Sequence, residues 1–363
     1  MVCFLVLAAI LVAGLWPFAP FPKNKVSWAA DGLQFVPPSI VLSKTPLRSR
    51  TPSLNAPSSL ELWFEPAKIG PGTIVGFYDF ESNRQFRITQ FRDGLLLRKT
   101  ARDNPVQDGP VIWIRRVLTP GRRMLLSITH GPTGTSAFVD GKLVENSSEF
   151  TLRQADVTGQ IVLGTSPIYN TAWPGKIYGL AVYDRSLTAP EVRNHYQNWS
   201  SYTRSATEPQ ALFLFNERGG KQIENKVSSE AALYIPDDFT LSHEKLLATP
   251  WEEFRPVLAY WKDNAVNVLG FVPLGFFFCL FAASKEGKSN SHTKVILFGA
   301  LISLLIEVLQ SFLPTRASGV TDVITNTLGT ALGAYLSGLR LVSKALPSLA
   351  KWLESPEQIL KRC

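Results

Sequence analysis

Five polar residues near the end of the chain, Glu307, Gln310, Arg316, Asp322 and Asn326, lie in or beside stretches that are otherwise apolar. Asn264 and Asn267 open another such stretch, three positions apart and therefore on one helical face. Charged and amide groups at bilayer depth carry a cost in free energy, so they persist where they face other helices or a polar cavity. Two readings follow from these residue types. In the first, Arg316 binds a phosphate while Glu307 or Asp322 acts as base or metal ligand. In the second, the same groups cap helices, pair internally and fix packing, with Asp322 as the N-terminal cap of its own helix. Both readings expect one polar cluster in which Glu307 or Asp322 pairs with Arg316. Gly329 and Gly333 continue the stripe of Asp322 and Asn326 as a small-residue packing face.

Four apolar segments must position these groups. The first runs from Val2 to about Leu15. It reads as an uncleaved anchor rather than a signal peptide, because neither a small-x-small cleavage site nor a basic leading region is present. The others are Asn264 to Ala283, Val295 to Leu313 and Thr321 to about Val342. In the second, Pro273 and Gly275 are expected to bend or thin the helix. Lys285, Lys288 and Lys294 flank one junction, and Arg340, Lys344, Lys351, Lys361 and Arg362 follow the last segment. Such clusters resist translocation, so both are read as cytoplasmic and residues 22–262 as lying on the outer face of a plasma membrane. Lys23 and Lys25 sit on the wrong side of segment one for that scheme. The net charge of +8 is assigned to the flanks facing anionic lipid, and nucleic acid is not an expected partner. Cys3, Cys279 and Cys363 lie too far apart in the chain to support a disulfide framework or a zinc site.

Between residues 30 and 205 short apolar strands alternate with Gly, Pro, Asn and Asp, the pattern of an all-β sandwich. Strands are read at Leu60 to Phe64, Thr73 to Phe80, Phe86 to Phe91, Gly94 to Lys99, Met124 to His130 and Ser136 to Val144. Asp140-Gly141 marks a hairpin, and Thr188 to Trp199 is the one helix signal. Trp113, Tyr169 and Trp173 fall in or near loops, where aromatic faces would stack on a sugar or plug the sandwich edge. A two-carboxylate hydrolase arrangement is not expected: Glu61 and Glu65 flank Trp63 without a third acid between them, and Glu61 is read onto a solvated strand face or near a turn with Glu65. Calcium is open in such a module, but Asp103, Asp108 and Asp156 form no ligand loop, so no metal or cofactor is assigned.

The pieces SSLELWFEPA, RRMLLSITHGPTGTSAFVDGKLV and GKIYGLAVYDRSLTAPEVRNHY resemble the laminin-G-like, concanavalin A-like jelly-roll family. That resemblance implies binding of glycans or proteins through loops at one edge. NVLGFVPLGF and EVLQSFLPTRASGVTDVITNTLGTALG resemble the VanZ-like family of bacterial membrane proteins. The family takes its name from a member associated with resistance to a glycopeptide antibiotic. The expected organisation is a transmembrane helix or signal anchor over 1–21, a sandwich over 28–205, and a connector with an interfacial helix over 206–262. VanZ-like transmembrane helices over 263–342 and an amphipathic cytoplasmic tail over 343–363 complete it. The expected function is that of a multi-pass envelope protein contacting membrane lipid, its extracytoplasmic lectin-like domain binding a glycan or surface protein. The alternative is an intramembrane enzyme acting on a lipid-linked envelope precursor.

Overall fold

The computed structural model describes residues 1–51, 53–82, 84–100, 110–168, 171–198, 209–241, 246–254, 258–286 and 291–339. The chain forms two compact units, Phe21–Glu244 and a second built from Met1–Pro20 with Lys245–Cys363. Helix α1 (Val2–Leu15) opens the second unit.

The first unit is a β-sandwich. Strands β1 (Val26–Ala29), β2 (Gly32–Phe35), β3 (Val41–Ser43), β4 (Ser59–Pro66), β5 (Gly72–Asp79), β6 (Arg84–Phe91), β7 (Gly94–Thr100) and β8 (Val111–Ile114) form its first half. Then come β9 (Met124–Gly131), β10 (Gly134–Val139), β11 (Lys142–Ser147), β12 (Gln160–Leu163), β13 (Gly175–Tyr183) and helix α2 (Ala189–Asn198), with β14 (Ala211–Phe213), β15 (Gln222–Ile223) and β16 (Leu233–Tyr234) after it. Among the described residues one sheet runs β1-β2-β13-β4-β9-β10-β11 with β14 also on β13, and the other β15-β16-β3-β12-β5-β6-β7-β8. Period-two patterning turns Leu60, Leu62 and Phe64 of β4 inward, into one core with Phe77, Phe86 and Ile88 of the facing sheet. Burial of each such side chain contributes about 1.5–3 kcal/mol. The β10–β11 hairpin turns at Asp140 (φ 51°) and Gly141 (φ 76°), the two positive φ values that a tight hairpin demands. The stretch after residue 210, expected as a connector, adds strands to both sheets: β14 joins one, whereas β15 and β16 extend the other.

In the second unit, α3 (Pro250–Glu253) precedes α4 (Leu258–Glu286), α5 (Ser291–Gln310) and α6 (Val320–Ser337). The segment expected as an interfacial helix is thus divided, its last part being the start of α4. Helix α4 runs unbroken through Pro273. Helix α5 ends at Gln310, three residues before the expected Leu313, and a turn carries the chain on to α6. The small-residue stripe works as expected: a Cβ at Gly329 or Gly333 would overlap the Val268 or Val272 carbonyl of α4, and one at Gly275 would overlap the Thr330 carbonyl of α6. Among the described residues two spans, Tyr260–Ala283 and His292–Gln310, are long and apolar enough to cross a membrane. Helix α1, with 14 residues, reaches about 21 Å at 1.5 Å per residue, short of the ~30 Å hydrocarbon core. Helix α6 is not among the spans that pass by length and composition; it carries Asp322, Asn326 and several threonines.

Candidate functional site

The polar residues of the helical unit meet at two helix ends. Glu307, 1% exposed on α5, accepts the Gly319 N–H through Oε2 at 2.8 Å. Glu253 of α3 accepts the Thr321 N–H at 3.1 Å. Both bonds satisfy donors that an α-helix leaves open at its N-terminus, where the dipole favours negative charge. Asp322 is not the cap of α6: the N-cap is Gly319, with no side-chain cap, and Asp322 instead accepts from Asn267 Nδ2 at 2.8 Å. At the second helix end, Gln310 Nε2 donates to the Gly14 carbonyl at 2.7 Å, and Arg316 Nη2 to the carbonyls of Ala13 and Gly14 at 3.2 and 3.3 Å. A cation there complements the C-terminal dipole of α1. The expected ion pair of Arg316 with Glu307 or Asp322 is therefore replaced by hydrogen bonds to backbone, although the charges of Asp322, Glu253 and Arg316 all act on Glu307. Asn326 donates to Ser303 at 2.9 Å. Asn264 is half-buried, with no hydrogen bond tying it to the others.

Among the described residues five buried atoms of this region have no hydrogen-bond partner: Gln310 Oε1, Thr315 Oγ1, Arg316 Nε, Thr321 Oγ1 and Asn326 Oδ1. The cluster is thus only partly satisfied by its own groups, and each such atom calls for a further partner. Sequence reasoning missed Glu253. Its one trace is Thr249-Pro250, a helix-start signal that places an acidic pair in a short first turn.

In the sandwich the expected aromatics separate. Trp173 is fully buried, packs its ring 6.2 Å from those of Phe35 and Phe64, and donates Nε1 to Gln90 at 2.7 Å. It is core, not a ligand platform. Tyr169 lies outside the described residues, as do Asp103, Asp108 and the tail with Cys363. Trp113 is 41% exposed on β8. Its ring meets Phe91 edge-on at 6.1 Å and carries the Arg115 guanidinium 4.2 Å from its centroid.

The expectation of a solvated Glu61 is overturned. The alternation does point Glu61 away from the core, but α2 covers that face. Glu61 is 0% exposed and accepts from Ser127 and Tyr183 at 2.9 Å each, with His195 Nδ1 of α2 at 2.9 Å. Glu65 accepts from Tyr178 at 2.6 Å. Burial first, then this bond, pushes the Tyr178 phenol up to about 12, so the phenol is the donor at neutral pH. Asp156 accepts from Lys99 Nζ and the Arg153 N–H, both at 2.8 Å. Among the described residues no group of three or more His, Cys, Asp or Glu side chains is placed to hold a metal ion.

Fold and sites define a two-part protein: an antiparallel concanavalin A-like sandwich, and a helical unit with two membrane-length apolar helices and a buried polar cluster. Residues 210–341 match the VanZ/LLP1 family, and residues 44–193 match the concanavalin A-like lectin/glucanases superfamily. The chain thus combines a VanZ-like unit with a lectin-like domain. No curated protein matches it. Among solved structures it is similar to a protein from Bacteroides ovatus described as a candidate carbohydrate-binding protein, at 13% identity and a TM-score of 0.40, covering 60% of this chain and 59% of that one. It is also similar to a heptameric SAP-like pentraxin from Limulus polyphemus at 12% identity and a TM-score of 0.38, covering 61% and 94%. A third similar structure, the binding domain of botulinum neurotoxin serotype G, shows 16% identity and a TM-score of 0.38, covering 50% and 46%. The chain therefore spans 59% of the Bacteroides protein and 46% of the neurotoxin domain.

Proposed function

We propose that this protein is a multi-pass envelope membrane protein whose VanZ-like unit anchors an extracytoplasmic lectin-like domain that binds a surface glycan. The membrane half of this reading rests on an inverted distribution of polarity. Leu269, Leu297, Leu301, Leu305, Leu328 and Leu332 are exposed, whereas Ser303, Glu307, Asn326 and Thr330 are buried. Water would select the opposite arrangement, and lipid selects this one. The binding half is carried by Trp113, an exposed ring on an open sheet face of a lectin-family domain. The test is a glycan array probed with the full chain in detergent, alongside Trp113→Ala. Binding lost in the variant supports the reading, and no binding to any sugar at millimolar concentration eliminates it in favour of a protein partner. Accessibility of a cysteine placed at position 218 only from the cytoplasmic side would overturn the orientation. The link to glycopeptide-antibiotic response rests on the family alone, and unchanged susceptibility on deletion would remove it.

The five buried atoms without partners favour a second reading for the helical unit, an intramembrane enzyme acting on a lipid-linked envelope precursor. It requires that Glu307→Gln, Arg316→Ala and Asp322→Asn abolish turnover while insertion is kept. Normal phenotype in all three eliminates it.

A further inference from the structure

We propose that the glycan bound by the sandwich is anionic and is held at the β6–β8 edge by Arg92 and Arg115, on either side of a Phe91–Trp113 platform. This rests on the glycan-binding reading above and narrows it. Charge carries the first part of the case. Residues 84–123 hold ten Lys and Arg against three Asp, a net +7 where the whole chain has +8. A large basic excess thus lies in the stretch that carries β6, β7 and β8, in addition to that of the membrane flanks.

Several of these cations are neutralised in place. Arg84 pairs with Asp79 at 3.4 Å, Lys99 with Asp156 at 2.8 Å and Arg122 with Asp140 at 2.5 Å, and Arg123 pairs with Asp31. Arg92, Arg115 and Arg116 are exposed and form no ion pair among the described residues. Their corner is tied together by the backbone, since the Asp93 carbonyl accepts the N–H groups of Val117 and Leu118 at 3.0 and 2.9 Å.

Geometry carries the second part. Arg92 lies 5.7 Å from the Phe91 centroid, Phe91 meets Trp113 at 6.1 Å, and Arg115 lies 4.2 Å from Trp113. Four side chains thus form a continuous cation–ring–ring–cation row. A guanidinium resting on a ring keeps its in-plane N–H donors outward, in the fork that matches a carboxylate, sulfate or phosphate. The aromatic faces suit the apolar side of a sugar ring. The register extends the row over the solvent face, where Thr89, Leu96 and Trp113 stand opposite one another. A row of two rings between two cations fits an acidic polysaccharide, whose sugar faces stack while its anions pair, better than lipid headgroups, which offer no sugar ring to stack.

The experiment titrates the full chain in nanodiscs of neutral lipid with polygalacturonate, with dextran as the neutral polymer. Phosphatidylglycerol vesicles and duplex DNA serve as other polyanions. The expected result is binding of polygalacturonate that weakens with salt, and about tenfold with each of Arg92→Gln and Arg115→Gln. Arg218→Gln, at an exposed turn elsewhere, leaves binding unchanged, and near-ultraviolet circular dichroism confirms that all variants are folded. Equal, salt-independent binding of dextran overturns the anionic inference and leaves glycan binding standing. Failure of every sugar on the array overturns both. Binding of vesicles or DNA as tight as that of polygalacturonate also overturns the inference, because the edge would then be a general polyanion surface.

Discussion

Replacing Glu61 with alanine removes the acceptor shared by Ser127, Tyr183 and His195, all within 2.9 Å of its carboxylate and all buried. His195 sits on α2, so the network fastens that helix to the outer face of β4, beside the stack of Tyr196 on Trp63 at 5.9 Å. A hydrogen bond to a charged acceptor nets roughly 1.5–3 kcal/mol, and such terms do not add when one group serves three donors. Leaving a buried donor unsatisfied costs about 1–3 kcal/mol, and with three donors losing one shared acceptor we expect a total loss of about 3–5 kcal/mol. For a domain of this size that lowers the melting temperature by roughly 10 °C. Glu61→Gln keeps one acceptor but turns an amide donor toward other donors, so it falls between wild type and alanine. Thermal melting of the full chain in detergent measures the global effect, and hydrogen exchange over residues 189–198 measures the loosening of α2. A change under about 1 kcal/mol with unaltered protection of α2 would refute the network. It would also return Glu61 to the pool of carboxylates open to a sugar.

Further outcomes test other parts of the structure. Trp173→Ala empties a fully buried site and costs about 3–5 kcal/mol, whereas Trp113→Ala at the surface shifts the melting temperature far less. Gly333→Val drives a side chain into the Val272 carbonyl and destabilises the α4–α6 pair by about 1–3 kcal/mol in detergent melts, whereas Gly270→Ala, with open space around it, is tolerated. For Glu191, burial opposes ionisation, but hydrogen bonds from Arg185 and Thr188 outweigh it and hold the carboxyl down at about 2. A carboxyl lowered on folding stabilises above its unfolded pKa of about 4.5 and loses that contribution as pH falls through about 2. Hydrogen exchange of α2 in wild type and Glu191→Gln should therefore differ by roughly 1 kcal/mol at neutral pH, and by progressively less as pH approaches 2.

Local chemistry made much of this legible before any coordinates. The alternation in β4 separates Leu60, Leu62 and Phe64 from Glu61, Trp63 and Glu65, because successive side chains of a strand point to opposite faces. Asp140-Gly141 announces its hairpin through the φ values it tolerates. The stripe of Gly329 and Gly333 marks where two helices close up, because the absence of a Cβ is a property of the residue itself. The apolar runs of α4 and α5 likewise speak through composition and length.

What lay beyond the sequence depends on which surfaces meet. Periodicity turns Glu61 off the core but does not say that α2, over a hundred residues later, roofs that face and brings His195 to it. Loop-like surroundings grouped Trp113 with Trp173, and only the sandwich buries one and exposes the other. Glu253 and Glu307 lie on different helices, yet both serve the open donors of α6, while Gln310 and Arg316 serve the open carbonyls of α1. A helix end must have its partners satisfied, so the sequence alone required that partners exist. Their identity is a long-range contact, decided by how the helices pack.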